Sequence, residues 1–319
     1  MPDYTIFGGC LRADMSFPAL PETAGEVPDW TVRRVDTPAI LMNAELLGEE
    51  PLGQGVFVRS FRWPGGWRVA FDDTGIFDLS PDGRAITWWP GPSSSVDIAR
   101  IDVVGRVLAM GMHAAGLICL HGSGVMIGCE GVAFVAPKFH GKSTLALAIA
   151  KAGGRLTNDD NVPIETGRPP MLRPGAPRVR LWGDSIDRLG GDALMPSRGS
   201  DDKFNLGYLP EDFVMRDALP LSAIYVLTPV PSHDGAAVTR TPLAPVRSAI
   251  SLVRHAKLGA LLGKSESAIV LDRATTLASQ VPVYELCVVR DFDRIHEVVA
   301  QLMDWHGGVA SLERAGAAW

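Results

Sequence analysis

The stretch APKFHGKSTLALAIA, residues 136–150, decides how this chain is read. It contains Gly141-Lys142-Ser143-Thr144, the ending of a phosphate-binding loop, and then runs on into an Ala/Leu-rich helical segment. Its opening departs from that pattern. Ala136 stands where such a loop carries its first glycine, and Phe139 occupies a position that is usually small and flexible. A phosphate loop joins a buried strand to a helix N-terminus, where backbone N–H groups and the positive helix end face the anion. That context is present: Val132-Ala133-Phe134-Val135 reads as a strand, and Gly153-Gly154 supplies the left-handed stop of a helix. On this reading Lys142 places a positive charge on the donor phosphates, and the Ser143 hydroxyl helps hold Mg²⁺. Ala136, Lys138, His140, Gly141 and Thr144 complete the candidate cradle.

The flanks sharpen the reading. His121 lies 21 residues before Lys142, near the end of a strand-like run, and Asp159-Asp160 begin 17 residues after it. Phosphoryl transfer to a hydroxyl needs a metal, a carboxylate for the acceptor and positive charge for the transition state. Successive residues of a strand point to opposite faces. Two adjacent carboxylates can therefore divide the metal and acceptor tasks.

The 319 residues suit one large domain or two modest ones, and 46% hydrophobic with 21% charged residues is the balance of a soluble globular chain. A net charge of −6 argues against nucleic acid and anionic membranes as partners. Val107–Leu120, the longest apolar run, is too short to span a bilayer, and the first residues have no signal-peptide pattern, so a cytoplasmic protein is expected. The four cysteines are far apart with no CxxC pair, which fits buried free thiols better than a metal site or disulfides.

Residues 1–95 read as β-rich, with hairpins over Val56–Trp63/Trp67–Phe71 and Gly75–Leu79/Ala85–Trp89. Trp88-Trp89 there reads as packing. Gly91-Pro92-Ser93-Ser94-Ser95 reads as a linker, and residues 96–319 as an α/β catalytic domain. Within it a helix is expected from Asp97 to about Gly116, with His113 in its apolar face, and one strand over Ile118–Met126. Short strands are expected at Arg155–Leu156 and Val162–Ile164, and buried strands at Leu221–Leu227 and Val281–Val289. Helices are expected over Val246–Leu262 and Asp293–Trp305.

The run His121-Gly122 … Gly141-Lys142-Ser143-Thr144 … Gly154-Arg155-Leu156 … Asp159-Asp160 resembles the catalytic domain of the HPr kinase/phosphorylase family. Tyr4–Gly8, VRLWGDSIDRL (Val179–Leu189), DDKFNL (Asp201–Leu206) and LPLSAIYVL (Leu219–Leu227) extend the resemblance to HPr-kinase-like proteins of natural-product pathways, including lasso-peptide precursor kinases. The resemblance implies a phosphate-loop kinase fold of the HPr kinase/phosphoenolpyruvate carboxykinase type, preceded by a small β-rich domain. It implies ATP- and Mg²⁺-dependent phosphorylation of a serine-type hydroxyl on a peptide or small protein, and leaves a homo-oligomer open. Carried over, Asp160 is the base, Asp159 assists near the metal with Ser143, His121 orients the catalytic carboxylate, and Lys142 holds phosphates. Arg180 and Lys203 become candidate phosphate contacts. The family's downstream acidic metal-binding segment is absent; VRLWGDS occupies its place, with Asp184 as a substitute ligand. Two other functions stay open: a kinase of a small hydroxylated metabolite, and a non-catalytic nucleotide sensor on the same scaffold.

Overall fold

The structure, a computed structural model, describes residues 1–92, 94–176, 178–189, 193–196, 203–206 and 209–307, with the backbone only for 193–196 and 203–206. Asp201 and Asp202 of the DDKFNL motif lie outside the described residues. The chain is mixed α/β, with two large sheets and few helices. It divides into two compact units. One holds Met1–Cys119 and Ala256–Val270; the other holds the described residues from Leu120 to His255 and from Leu271 onward.

The first unit is built on a nine-stranded sheet. Its strands are β1 (Asp3–Ile6), β2 (Gly9–Ala13), β3 (Glu22–Thr23), β4 (Trp30–Arg34), β5 (Glu45–Gly53), β6 (Val56–Trp63), β7 (Gly66–Phe71), β8 (Gly75–Leu79) and β9 (Ala85–Trp89), in the order β3-β1-β2-β4-β9-β8-β7-β6-β5. The two hairpins read from sequence are β6–β7 and β8–β9, because alternating apolar residues such as Trp67, Val69, Phe77, Leu79, Ile86 and Trp88 all turn to the core. Trp88 is buried, stacks on Phe77 and donates its indole N–H to the Thr74 carbonyl at 3.0 Å, which makes it a packing residue.

The expected helix is α1 (Val96–Asp102), a π-helical turn at Val103–Val107, and α2 (Leu108–Ala114). It belongs by contact to the first unit, so the division of the chain falls after Cys119 and not at residue 95. The physical reason is specific pairing. Thr74 Oγ1 donates to buried Asp102 Oδ2 at 2.6 Å, and His113 packs edge-on against Trp67 while its Nε2 lies 3.0 Å from Glu266 Oε2.

β10 (Ile118–Leu120) crosses from the first unit into the second, which then carries β11 (Gly122–Ile127), β12 (Glu130–Val135), α3 (Lys142–Lys151), β13 (Arg155–Asp159), β14 (Val162–Glu165), β15 (Met171–Leu172), β16 (Val179–Trp182), α4 (Gly183–Leu189), β17 (Ala193–Pro196), β18 (Lys203–Leu206), β19 (Leu219–Val230), β20 (Val238–Pro242), α5 (Pro245–Arg254), the part of α6 (Lys264–Gln280) from Leu271 onward, β21 (Val283–Val289) and α7 (Ile295–Trp305). Its main sheet runs β14-β15-β19-β12-β11-β13, with β21 against the later part of β19 and β20 outside β21. The β12–β19 and β19–β21 pairs are parallel; the neighbours β11, β13 and β20 are antiparallel. Parallel strands are buried on both faces, and here α3 and α7 cover one of them with Leu145, Ile149, Val298, Val299 and Leu302.

Three sequence expectations change. The single strand over Ile118–Met126 is broken at His121, whose backbone N–H leaves the ladder and donates to the His255 carbonyl at 2.7 Å. The helix expected over Val246–Leu262 ends at Arg254. The 17-residue α6 has no sequence forecast, because its apolar residues surround it: Val270, Ala274 and Leu277 are buried while Ile269 and Leu271 are exposed. Among the cysteines, all free, Cys10 and Cys119 are buried but Cys129 is exposed.

Candidate active site

The loop from Ala136 to Gly141 connects the carboxyl end of β12 to α3. Gly141 is the helix N-cap and takes a left-handed backbone (φ 82°), which glycine adopts without cost. Phe139 is also left-handed (φ 68°), although it carries a side chain. Ala136 has no positive φ. It is fully buried in the core beneath α3, so this position asks for a small apolar residue and not for glycine's freedom. The sequence thus departs harmlessly at 136 and meaningfully at 139.

Lys142 is the first residue of α3 and is largely buried. Its Nζ donates to the Ala136 carbonyl at 2.8 Å and the Pro137 carbonyl at 3.0 Å, closing the loop across its base. Ser143 Oγ donates to Asp159 Oδ1 at 2.7 Å. Thr144 Oγ1 lies 3.1 Å from Ser185 Oγ. Lys138 is exposed at the loop tip, and its carbonyl is 2.9 Å from His140 Nδ1.

Asp159 closes β13 and gathers three donors. Besides Ser143, Ser123 Oγ donates to its Oδ1 at 2.6 Å and the Arg180 backbone N–H to its Oδ2 at 2.7 Å. Asp160 leaves the strand with φ 73°, which swings its carboxylate to different partners. Its Oδ1 is 3.2 Å from His121 Nδ1 and its Oδ2 3.8 Å from Arg180 Nη1. The adjacent carboxylates therefore serve different groups, the serines at Asp159 and His121 at Asp160, and share Arg180, whose backbone N–H meets the first and whose guanidinium meets the second. Arg180 Nε is buried with no hydrogen-bond partner among the described residues, a donor whose desolvation is uncompensated.

Three further residues enter that the sequence did not single out for the site. Ser123 lies two positions after His121. Arg178 precedes Arg180 by two; burial pushes its guanidinium pKa down, Arg180 adds to this, and Asp160 and Asp159 oppose it. His255 lies at the end of α5, joined to His121 by the backbone hydrogen bond. Burial, and then the charges of Lys142, His121, Arg254 and His140, push its pKa down to about 4, so the ring is neutral at pH 7. His121, His140, Lys142, Arg178, Arg180 and Arg254 thus make a local basic concentration in a chain of net charge −6.

Lys203 begins β18 opposite Trp182 of β16, and its side chain lies outside the described residues. Asp184 accepts from the Ser185 N–H at 2.8 Å and lines a cleft beside the loop. A magnesium ion prefers oxygen donors in a small octahedral shell and typically takes only one or two carboxylates, the rest being water and phosphate. Asp159 with the Ser143 hydroxyl fits that preference. No group of three or more His, Cys, Asp or Glu side chains suited to a metal occurs among the described residues.

No family model matches the chain, and no curated protein matches it. Among solved structures it is similar to the Hpr(Ser) kinase/phosphatase from Coxiella burnetii, with 13% identity and a TM-score of 0.30, over 59% of this chain and 90% of that one. Among the described residues no helix is long and apolar enough to cross a membrane.

Proposed function

We propose that this chain is an ATP- and Mg²⁺-dependent phosphotransferase that phosphorylates a serine-type hydroxyl, carried by a peptide or small protein. The observation that carries the reading is the division of labour at the start of α3. Asp159 is tied to Ser143 while its neighbour Asp160 is tied to His121, and both face Arg180. The peptide character of the acceptor rests on the sequence resemblance.

The acceptor hydroxyl sits within reach of Asp160, which is partly open to solvent. Its oxygen forms a bond to the γ-phosphorus as the bond to the β,γ-bridging oxygen breaks, and ADP leaves. Asp160 takes the hydroxyl proton, and His121 holds that carboxylate in line. Lys142, Arg180 and Arg178 supply positive charge to offset the negative charge on the transferring group and the leaving oxygen. Mg²⁺, held by Ser143 and Asp159, would neutralise charge on the donor phosphates.

The test is a mass shift of one phosphate on candidate peptides, proteins and hydroxylated metabolites incubated with ATP and Mg²⁺. Asp160→Asn is expected to lower turnover by about 10²-fold or more while nucleotide still binds. Turnover unchanged in Asp160→Asn sinks the base assignment. ATP binding without transfer to any acceptor favours a sensor.

A further inference from the structure

Phe139 is an anomaly in its own right. It is a large apolar side chain, 60% exposed, on a left-handed backbone that disfavours residues with a Cβ. Core packing does not explain it. Its ring partner among the described residues is Trp182 at the end of β16, with centroids 4.6 Å apart and planes within 23°. Both rings line a cleft of about 630 Å³, a volume in the range of small-molecule sites. Leu145, Leu227, Val288 and Ile295 form apolar walls.

The cleft's position points to its occupant. It opens beside the carboxyl ends of the parallel strands β19 and β21, where ligands bind in open α/β sheets. It is also lined by His140 and Gly141 of the loop and by Thr144 in the first turn of α3, so it is continuous with the proposed phosphate site. An apolar slot with an aromatic pair at that place suits a flat, uncharged ring joined to phosphates.

We infer that Phe139 and Trp182 are the base-recognition pair of the donor site, their stacked rings offering a flat apolar face on which the nucleobase of the nucleotide stacks. This rests on the phosphate-loop reading, and it gives the residue at 139 a task that glycine could not perform. The left-handed backbone aims the ring at Trp182.

The test compares ATP with tripolyphosphate, which has no base, by calorimetry on the intact protein, Phe139→Gly and Trp182→Ala. Phe139→Gly relieves the backbone and removes little buried surface, so the fold is kept. ATP is expected to bind about tenfold or more weakly in both variants, with tripolyphosphate affinity unchanged. Equal weakening of the two ligands overturns the inference, and so does undiminished ATP binding, the outcome if the cleft takes an acceptor side chain instead. Adenosine separates this from the loop reading. It is expected to quench tryptophan emission in the intact protein and in Lys142→Ala, but not in Trp182→Phe; no quench in the intact protein overturns the aromatic pair. Tripolyphosphate binding that survives Lys142→Ala overturns the loop reading instead.

Discussion

Replacing Asp159 by Asn tests the hub of the site with almost no change of shape. The carboxylate accepts from Ser123 Oγ at 2.6 Å, Ser143 Oγ at 2.7 Å and the Arg180 N–H at 2.7 Å. The serine hydroxyls can rotate, but a backbone N–H cannot. If the Asn oxygen serves the serines, its NH₂ confronts the Arg180 N–H, donor against donor. One bond is lost and two pass from a charged to a neutral acceptor. Bonds to charged groups contribute about 1.5–3 kcal/mol and neutral ones about 0.5–1.5. Allowing for the partial exposure of Asp159, the stability loss should be about 2–3 kcal/mol. Urea unfolding measures this directly. A cycle with Ser123→Ala should show coupling of about 1 kcal/mol, since the second substitution removes a bond the first has already weakened. Magnesium-dependent strengthening of ATP binding should vanish in the same variant. Unfolding within about 0.5 kcal/mol of the parent, with additive effects and intact magnesium dependence, would refute the reasoning.

Two other outcomes follow from single residues. His255 has a folded pKa of about 4 against an ordinary 6.5, so its contribution to stability is present above pH 6.5 and is lost as pH falls toward 4. His255→Gln should flatten that part of the stability profile by at most about 1.4 kcal/mol per pH unit, measured by urea unfolding at several pH values; an unchanged slope contradicts a buried neutral ring. Ala136→Gly, which restores the common loop letter, should lower stability by about 1 kcal/mol and leave ATP affinity unimproved, because the residue is fully buried and its backbone is not left-handed. Tighter ATP binding in that variant would show that the loop does need glycine there.

The parts of the fold legible in the sequence were those with local signatures. The hairpins β6–β7 and β8–β9 alternate cleanly, and α7 buries Val298, Val299, Leu302 and Met303 from one stripe. His121, Ser143, Asp159 and Asp160 could be picked out because loop, strand ends and spacing constrain them. His255 could not, since what brings it to His121 is a backbone hydrogen bond between residues 134 positions apart in the chain. The break at His121 escaped for the same reason: the run Ile118–Met126 is apolar at both ends, and the long-range partner of His121 interrupts the ladder between them. Phe139 was visible as a departure, but its meaning depends on Trp182, which arrives from β16.

The return of Ala256–Val270 to the first unit has a consequence for how the chain is made. Glu266 is the partner of buried His113, and Ser60 Oγ donates to the Leu261 carbonyl. None of these partners exists when Cys119 leaves the ribosome; residues 120–255 must be synthesised first. At about 5–20 residues per second that interval is on the order of ten seconds. Throughout it the Glu266 partner of His113 and the Leu261 partner of Ser60 are still missing, and residues 120–255 must emerge before the first unit can close.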